Sequence, residues 1–314
     1  MRKVIFDVDT GSDDAVELIY AVNSQQFDIK GITTVFGSKK IEEVSENTLK
    51  TLELCEANIP VYQGCHRPLV RGLYDSDVIL QSKNTSDDKK VGFHEVFNDL
   101  TTTKTIEEKN AVTFLIETLK NEKCTIVASA TLTNIACAFL LCPEIKENIE
   151  EIVIMGGGIN MSNKTMNAEG NFYRDPEAAK IVLTSGCNIT LIPLDATHDI
   201  PLGCDEVYKL KEIGNKKATF IAKVLEMRIK SYNLLQPLDE KDQGIIHDLL
   251  CTFYLLDKDV ISEYVHYNLD VSIDHGSSAG KLLVDYRYGH ESTNITTAIK
   301  VNKELYHKTL FELI

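Results

Sequence analysis

No segment of this 314-residue chain approaches the ~20 uninterrupted apolar residues that a membrane span needs. The N-terminus also lacks the apolar stretch and small-residue cleavage site of a signal peptide. The eight cysteines include no CxxC pair, and most have apolar neighbours, as buried reduced thiols do. These absences argue against a secreted disulfide scaffold and predict a cytoplasmic protein with no membrane partner.

Positive charge is also scarce, because 33 lysines and arginines face 47 aspartates and glutamates, for a formal net charge of −14. Nucleic-acid binders usually carry a basic patch that exchanges counterions with the phosphate backbone. The sequence therefore predicts no nucleic-acid partner and a small or neutral substrate. Its length and ordinary composition suffice for a sizeable buried core, and we expect residues 1–314 to form a single domain.

Short β-branched runs alternate with helix-period stretches over the N-terminal two thirds of the chain. Because the strand-like runs are apolar throughout, they predict strands buried on both faces. The pattern predicts the α/β class, with an open, mostly parallel central sheet and helices on both faces. The strand candidates are residues 4–8, 31–36, 125–129, 152–156 and 189–194, and the helix candidates are residues 15–22, 41–56, 111–121, 133–141 and 176–185.

Beyond residue 205 the pattern changes. A long helical stretch at 206–235 precedes short strands near 282–287 and 296–301, which predicts a C-terminal helical cover with short extra strands. Two polar segments, 75–92 and 236–244, predict long loops. Loops of this length in a compact domain often form lids over a site.

Four aspartates lie where the first strand ends and the first helix begins: Asp7, Asp9, Asp13 and Asp14. In open α/β sheets, ligands bind in the crevice beyond the carboxyl ends of the strands. Asp7 and Asp9 share one face of an extended strand, and a turn at Gly11 returns Asp13 and Asp14 towards them. This convergence of like charges predicts a cation site, and carboxylate oxygens suit Ca²⁺ or Mg²⁺.

The acidic motif has two other interpretations. The helix dipole and free amides favour acids at a helix N-terminus, which would explain Asp13 and Asp14 but not Asp7 and Asp9. Asp7, Asp9 and Thr10 also resemble the nucleophile motif of haloacid-dehalogenase-type phosphatases, in which the first aspartate attacks phosphorus. Asp13 and Asp14 have no role in that chemistry, and the later lysine and acidic-pair motifs are not found at suitable strand ends.

Seven blocks of the sequence together resemble the inosine-uridine-type (IUNH) nucleoside hydrolase family, in the family's order and over nearly the whole chain. The resemblance implies a Rossmann-like nucleoside hydrolase fold and hydrolysis of the N-glycosidic bond of ribonucleosides through an oxocarbenium-like transition state. It also implies a homodimer or homotetramer that takes part in purine or pyrimidine salvage. The blocks are DVDTGSDDA (7–15), ITTVFG (32–37), LTNIA (132–136), MGGG (155–158), NAEGN (167–171), DPEAA (175–179) and HD (247–248).

By this resemblance, Ca²⁺ is the cofactor and a Ca²⁺-bound water is the nucleophile. The implied ligands are Asp9, Asp14, the backbone carbonyl of Thr133, and Asp248. Asp9 is also the implied base that takes the proton from the water. Asp7 is expected to orient its neighbours from behind them.

The resemblance assigns a second set of residues to the nucleoside substrate. Met155 lines the pocket beneath the ribose, and His247, with a pKa near neutrality, donates a proton to the leaving base. Tyr232 is a further candidate for contact with the base. The absence of tryptophan argues against a purine-only mode of activation by indole stacking, and the base preference stays open. The residues expected to contact the ribose are Asp13, Ser38, Asn163, Glu169 and Asn171.

The chain departs from the family pattern on the substrate side of the site. Ser38 stands where the family has an asparagine that touches the ribose 2′-hydroxyl. In the first lid loop, Asp88 and Lys89 replace a base-facing histidine motif, and Thr131 replaces the usual Gly or Pro before LTN. These changes leave an alternative, a calcium- and ribose-binding relative with little or no turnover. We expect an enzyme, because the acids of the first motif and Asp248 are retained.

Overall fold

The structure is a computed structural model that describes residues 1–71, 95–287, 289 and 294–314. Its strands form mainly where the sequence has short apolar, β-branched runs, which pack well on a pleated surface. They are β1 (Arg2–Val8), β2 (Phe27–Thr34), β3 (Val61–Gln63), β4 (Cys124–Ala128), β5 (Ile149–Met155), β6 (Ile189–Ile192), β7 (Leu202–Gly203), β8 (Gln243–Gly244), β9 (Ile261–Val265), β10 (Asn268–Val271), β11 (Leu282–Asp285) and β12 (Ile295–Val301).

The helices pack apolar faces against these strands. They are α1 (Ser12–Ser24), α2 (Ile41–Leu54), α3 (Ala111–Asn121), α4 (Thr133–Leu141), α5 (Gly170–Arg174), α6 (Pro176–Leu183), α7 (Leu194–Thr197), α8 (Cys204–Ile213), α9 (Lys216–Leu235), α10 (Leu249–Leu256) and α11 (Lys303–Glu312). Short 3₁₀ turns lie at Glu95–Phe97, Pro143–Asn148 and Lys258–Val260. Within the described ranges, no helix combines the length and the apolar composition needed to cross a membrane.

Eight strands form the central sheet, in the order β3-β2-β1-β4-β5-β6-β12-β9. Every neighbouring pair is parallel except β12 and β9. The chain runs from β1 to β2 and β3 on one side, and then crosses to β4, β5 and β6 on the other. This reversal places a crevice at the carboxyl ends of β1 and β4, where open α/β sheets bind ligands. The predicted fold class is confirmed.

Alternating side chains of β1 divide the core between the two faces of the sheet. Val4, Phe6 and Val8 join the cluster that contains residues of α1, α9, α10 and α11. Ile5 joins the opposite cluster, which contains residues of α3, α4 and α6. Because helices cover both faces, the central strands need apolar residues at successive positions, as the sequence has.

The C-terminal part differs from the sequence prediction in two details. The helical stretch predicted at 206–235 is two helices, because Gly214, with φ of 73°, ends α8 and the Asn215 side chain caps α9 by accepting the Ala218 N–H. Of the two late strands predicted, β12 extends the central sheet beside β6, with β9 at the edge, whereas β11 pairs with β10 in a separate two-stranded sheet. The predicted lid loop at 75–92 lies outside the described residues.

Candidate active site

Carboxylates from two helices meet near the carboxyl end of β1. Asp13 and Asp14 lie in the first turn of α1, and Asp248 immediately precedes α10. One carboxylate oxygen of each lies within 4.8 Å of the others. An edge-to-face contact between Tyr20 and Phe253, with ring centroids 5.2 Å apart, holds the two helices side by side. The fold thus joins acids from the two ends of the chain.

These three carboxylates form a donor set made of oxygen alone. Burial raises the pKa of Asp14 and of Asp248 well above the ordinary range, and the neighbouring carboxylates raise it further. Ionising buried carboxyl groups side by side is costly, whereas a divalent cation stabilises all of the charges together. The donor chemistry therefore fits a hard cation such as Ca²⁺ or Mg²⁺.

Asp14 also stabilises the turn that precedes α1. Its carboxylate accepts hydrogen bonds from the backbone N–H groups of Asp9 at 3.2 Å and Gly11 at 2.9 Å. The interpretation of the motif as a helix-end structure is therefore correct for Asp14. It does not compete with cation binding, because an ionised carboxylate has about four lone-pair sites.

Asp9 lies beside the three-carboxylate group and not within it. The Ser38 N–H donates to Asp9 Oδ2, and the Ser38 hydroxyl donates to the Asp9 backbone oxygen at 3.1 Å. Burial raises the pKa of Asp9 to about 6, opposed by the positive charge of Arg174 and by the hydrogen bonds from Ser38. A side chain at Gly37 would collide with this arrangement, because its Cβ would lie 2.1 Å from Asp9 Oδ2. Ser38 thus holds Asp9, and its expected contact with the ribose stays a prediction.

Asp7 is fully buried behind these groups. Its Oδ1 accepts hydrogen bonds from the Thr33 hydroxyl at 2.6 Å and the Asn134 amide at 2.8 Å. Burial raises the pKa of Asp7 to about 7. Asn134 also accepts the Cys65 N–H, so the network ties β1 to β2, to α4 and to the segment after β3. This placement is compatible with the supporting role expected for Asp7.

Thr133 begins α4, beyond the carboxyl end of β4. Its hydroxyl donates to Asp175 at 2.6 Å. Asp175 also accepts the backbone N–H groups of Leu69 and Ala178, so it joins the starts of α4 and α6. The sequence analysis missed this role, although an aspartate directly before a proline that opens a helix is a typical N-cap. The carbonyl of Thr133 as a cation ligand stays a prediction.

The segment after β5 is folded around Glu169. Its Oε1 accepts the Asn171 N–H at 2.7 Å, and its Oε2 accepts the N–H groups of Gly157 at 2.9 Å and Phe172 at 3.2 Å. Burial raises the pKa of Glu169, and these backbone donors oppose the rise. The carboxyl group therefore fixes the loop on which it stands.

Asn171 and Met155 are in contact at the carboxyl end of β5. The Asn171 Nδ2 donates to the backbone oxygens of Met155 and Ser129, each at 3.1 Å, which occupies both of its hydrogens. Its Oδ1 is the atom that remains for a ligand. Asn163 is exposed, and its Oδ1 accepts the Gly170 N–H at 2.9 Å. The structure thus gathers the four residues expected around the ribose at the start of α5.

His247 is buried between two hydroxyl groups. Its Nδ1 lies 2.7 Å from Thr197 Oγ1, and its Nε2 lies 2.8 Å from the Tyr232 hydroxyl. Because the Thr197 hydroxyl donates to the Leu194 oxygen, it accepts from His247 Nδ1, and Nε2 accepts the Tyr232 proton. Burial lowers the pKa of His247 well below its ordinary value, and the charge of Arg228 lowers it further. Burial and the charge of Arg228 therefore both oppose the near-neutral pKa expected for His247.

Two charged residues that the sequence analysis did not single out belong to the site. The Arg228 Nη2 lies 2.9 Å from Asp13 Oδ2. Glu17 is fully buried, and its Oε2 accepts the Ser129 hydroxyl at 2.6 Å. Burial raises the pKa of Glu17 to about 8. The sequence does carry a signal for both residues, because each is a charged residue with apolar neighbours in a helical stretch. Such residues are seldom buried without a partner or a function.

Residues 4–308 match the family model described as inosine-uridine preferring nucleoside hydrolase. The chain belongs to this family. An inosine-uridine preferring nucleoside hydrolase from Leishmania major is 32% identical over 292 residues, 91% of this chain and 88% of the relative. The pyrimidine-specific ribonucleoside hydrolase RihB of Escherichia coli is 31% identical over 290 residues, 90% of this chain and 87% of the relative. Among solved structures, a purine-preferring ribonucleoside hydrolase from Gardnerella vaginalis has a TM-score of 0.87 at 26% identity, covering 99% of this chain and 98% of that one.

Membership of the nucleoside hydrolase family decides between the interpretations of the acidic motif. It confirms the resemblance and the predicted enzyme class, a ribonucleoside hydrolase. The phosphatase interpretation is not supported, because the family match spans residues 4–308. Of the departures from the family pattern, Thr131 is buried and its hydroxyl donates to the Phe36 oxygen at 2.9 Å. Asp88 and Lys89 lie outside the described residues.

Proposed function

We propose that this nucleoside hydrolase cleaves the N-glycosidic bond of ribonucleosides at a calcium site and releases ribose and free base. The observation that carries the proposal is the group of half-buried Asp13 and buried Asp14 and Asp248, with carboxylate oxygens within 4.8 Å of one another. Because the bond breaks through an oxocarbenium-like sugar, the site must hold the ribose, supply water to one face and stabilise the departing base. Different side chains of the site suit each task.

The oxygen donors at the carboxyl end of β1 suit Ca²⁺. When bound, the ion would supply positive charge that acidifies water and orients the ribose hydroxyls. Asp13 has its Oδ2 occupied by Arg228, so its Oδ1 is the oxygen that would accept the ribose 2′-hydroxyl. The residues that would hold the ion are Asp14 and Asp248 of the three-carboxylate group, Asp9 beside it and, through its carbonyl, Thr133, whereas Asp13 would face the ribose.

Asp9 is the proposed base. With a pKa of about 6, its carboxylate form is present at neutral pH and can accept a proton from water. The Ser38 N–H holds Asp9 Oδ2, which leaves Oδ1 to take that proton. The water oxygen bonds to the anomeric carbon as the carbon–nitrogen bond to the base breaks. Asp7 supports this arrangement from behind through β1.

The proposed proton donor to the departing base is the pair formed by Tyr232 and His247. The imidazole alone is a poor proton source at neutral pH, because burial keeps it neutral. The Tyr232 hydroxyl lies 2.8 Å from Nε2, so His247 can orient it. In the proposed step the Tyr232 O–H bond breaks, the proton goes to the nitrogen of the departing base, and Tyr232 is left as a tyrosinate that water reprotonates. Thr197 fixes the ring through Nδ1.

Loop residues at the start of α5 are proposed to bind the other ribose hydroxyls. Asn171 would accept one through Oδ1, because both Nδ2 hydrogens are bound to backbone oxygens. Glu169 and Asn163 would take the remaining hydroxyls, and Met155 would lie beneath the sugar. Ser38 would act on the substrate through its hold on Asp9.

The base preference, the role in salvage, the cellular location and the assembly are also proposals. The relatives are named for different bases, inosine and uridine in one case and pyrimidines in another. We propose that the chain accepts both purine and pyrimidine ribonucleosides and takes part in their salvage in the cytoplasm. A single domain and a homodimeric or homotetrameric assembly are proposed as well.

The test is a reducing-sugar assay of the purified protein on inosine, uridine, adenosine and cytidine, with Ca²⁺ and with a chelator. We expect ribose release that the chelator abolishes and Ca²⁺ restores. Asp9→Asn should lower kcat by about 10²–10⁴-fold, whereas Glu46→Gln, at an exposed position of α2, should keep full activity. No ribose from any nucleoside would overturn the proposed activity, and activity that survives the chelator would overturn the role of calcium.

A further inference from the structure

A guanidinium group lies inside the acidic site. Arg228 projects from the second half of α9, and its side chain is 12% exposed. Its Nη2 lies 2.9 Å from Asp13 Oδ2, and its Nε donates to the Ile245 backbone oxygen at 2.8 Å. Through these two contacts the guanidinium links α1 to the segment that leads to His247 and Asp248.

The packing around Arg228 leaves it little freedom. Gly244 lies so close to α9 that a Cβ there would be 2.7 Å from the Ile229 backbone nitrogen and 2.8 Å from the Arg228 carbonyl carbon. The guanidinium carbon also lies 6.0 Å from the ring centroid of Tyr232. The contact with this glycine fixes the backbone at Arg228, and the bonds to Asp13 and Ile245 then hold the guanidinium.

A fixed positive charge beside Asp13 opposes cation binding and favours the orientation of Asp13 towards a substrate. It repels a second cation that approaches Asp13, Asp14 and Asp248, since like charges at short range inside a protein interact strongly. It also holds one oxygen of Asp13, so the other oxygen has a defined direction towards a substrate hydroxyl. The first effect weakens metal binding, and the second favours catalysis.

We propose that Arg228 is a positioning residue that orients Asp13 and is at the same time a built-in counter-charge that lowers the affinity of the acidic site for a divalent cation. The part of this proposal that concerns catalysis rests on the proposed nucleoside hydrolase activity. The part that concerns the cation rests on the carboxylate geometry alone. A residue that served only to support the fold would stabilise the cation site, so its loss would weaken cation binding.

The test compares Arg228→Met, Arg228→Lys and wild-type protein by calorimetric titration of the metal-free chain with Ca²⁺ and by steady-state kinetics with inosine. Arg228→Met should bind Ca²⁺ on the order of tenfold more tightly while its kcat/KM falls about 10–100-fold. Arg228→Lys keeps the charge but lacks the planar guanidinium that bonds to Asp13 and to the Ile245 oxygen at the same time. It should bind Ca²⁺ within about twofold of wild type and still lose about tenfold in kcat/KM.

The matched control is Lys223→Met, which removes the same charge from an exposed position of α9 where Lys223 pairs with Asp99. It should change neither Ca²⁺ affinity nor kinetics. Unchanged or weaker Ca²⁺ binding by Arg228→Met would overturn the counter-charge, and full activity of Arg228→Lys would overturn the positioning role. If wild type cleaves no nucleoside, the proposed function fails, and the calcium titration still decides the counter-charge. If Arg228→Met does not fold, Arg228→Gln replaces it in the titration.

Discussion

Tyr232 and His247 share a hydrogen bond that directs the tyrosine proton onto the imidazole Nε2. Burial raises the pKa of Tyr232 to about 12 and lowers that of His247 well below its ordinary value, so both groups are neutral at physiological pH. Before the reaction this neutral pair holds no charge in a buried place. Transfer of the tyrosine proton to the leaving base leaves a tyrosinate, which takes up a proton from water once the base has left. The importance of this pair should therefore depend on how much the leaving group needs a proton.

Tyr232→Phe removes the hydroxyl and keeps the ring. We expect kcat for inosine to fall by about 10–100-fold, because the base then leaves without its proton donor. Hydrolysis of p-nitrophenyl riboside, whose leaving group is a stable anion, should change by less than about threefold. Tyr208→Phe, at an exposed tyrosine of α8, serves as the control. Equal losses on both substrates would show that Tyr232 acts through packing alone.

Glu17 is a second residue whose environment leads to a measurable prediction. It is fully buried, and burial raises its pKa to about 8. In the unfolded chain a glutamate has a pKa of about 4.3. Between these values the folded protein keeps a proton that the unfolded chain has lost, so raising the pH favours unfolding. The metal-free protein should lose stability as the pH rises from about 4 to about 8.

Glu17→Gln should remove the part of this pH dependence that comes from Glu17. The measurement is urea unfolding in chelator at several pH values from 5 to 8. The slope of unfolding free energy against pH should become less steep by up to about 1.4 kcal/mol per pH unit. Glu117→Gln, at an exposed position of α3, should leave the slope unchanged. An unaltered slope in Glu17→Gln would mean that Glu17 is ionised in the folded protein.

At the scale of elements, the short pairing of β7 with β8 determines where α9 lies. Gly244 of β8 meets the backbone of α9 at Arg228 and Ile229, where a Cβ would be within 3 Å of main-chain atoms. Backbone cannot move aside as a side chain can. The helix carries both Arg228 and Tyr232, so a shift of α9 would move the positive charge beside Asp13 and the proposed proton donor.

Gly244→Ala should therefore damage stability and activity together. We expect a loss of about 1–3 kcal/mol in unfolding free energy and a fall in kcat/KM for inosine, because α9 must shift away from β8. Chemical denaturation and steady-state kinetics give the two values. The control is Gly276→Ala, where a Cβ would have no neighbour within 4 Å. Wild-type kinetics in Gly244→Ala would show that the site tolerates displacement of α9.

At the scale of the molecule, cation binding and folding should be coupled. The acids come from α1 and from the start of α10, so the proposed cation site requires that these distant parts of the chain are packed together. A ligand that binds only the folded state stabilises it, by about 2.7 kcal/mol at a concentration of 100 times Kd. The protein should accordingly melt at a higher temperature with Ca²⁺ than with chelator.

Asp248→Asn should abolish most of the calcium-induced rise in melting temperature. In chelator the same variant should melt no lower than wild type, because burial and the neighbouring carboxylates oppose ionisation at this position and an amide does not ionise. Asp99→Asn, at an exposed aspartate, should respond to Ca²⁺ as wild type does. A variant at Asp248 that keeps the full calcium response would remove this residue from the set of ligands.

Much of the fold and part of the site followed from local sequence. The strands β1, β4, β5 and β6 and the helices α3 and α4 appear close to their predicted bounds, because hydrophobic period and β-branched residues act over a few neighbours. The approach of the Asp13 and Asp14 carboxylates to each other was predicted from the turn after β1, and cation binding there stays a prediction. The break between α8 and α9 and the role of Asp175 as a cap were missed, although Gly214 and the Asp-Pro pair carried the signal.

The sequence by itself determined the class of fold, the family and the acidic motif of the candidate site, because each depends on patterns among residues that are near one another in the chain. Only the tertiary structure decided how the motif is used. It placed Arg228 against Asp13, turned Ser38 onto Asp9 and enclosed His247 between Thr197 and Tyr232. The physical reason is that charge, proton affinity and orientation depend on neighbours in space, and these neighbours come from parts of the chain that no local pattern connects.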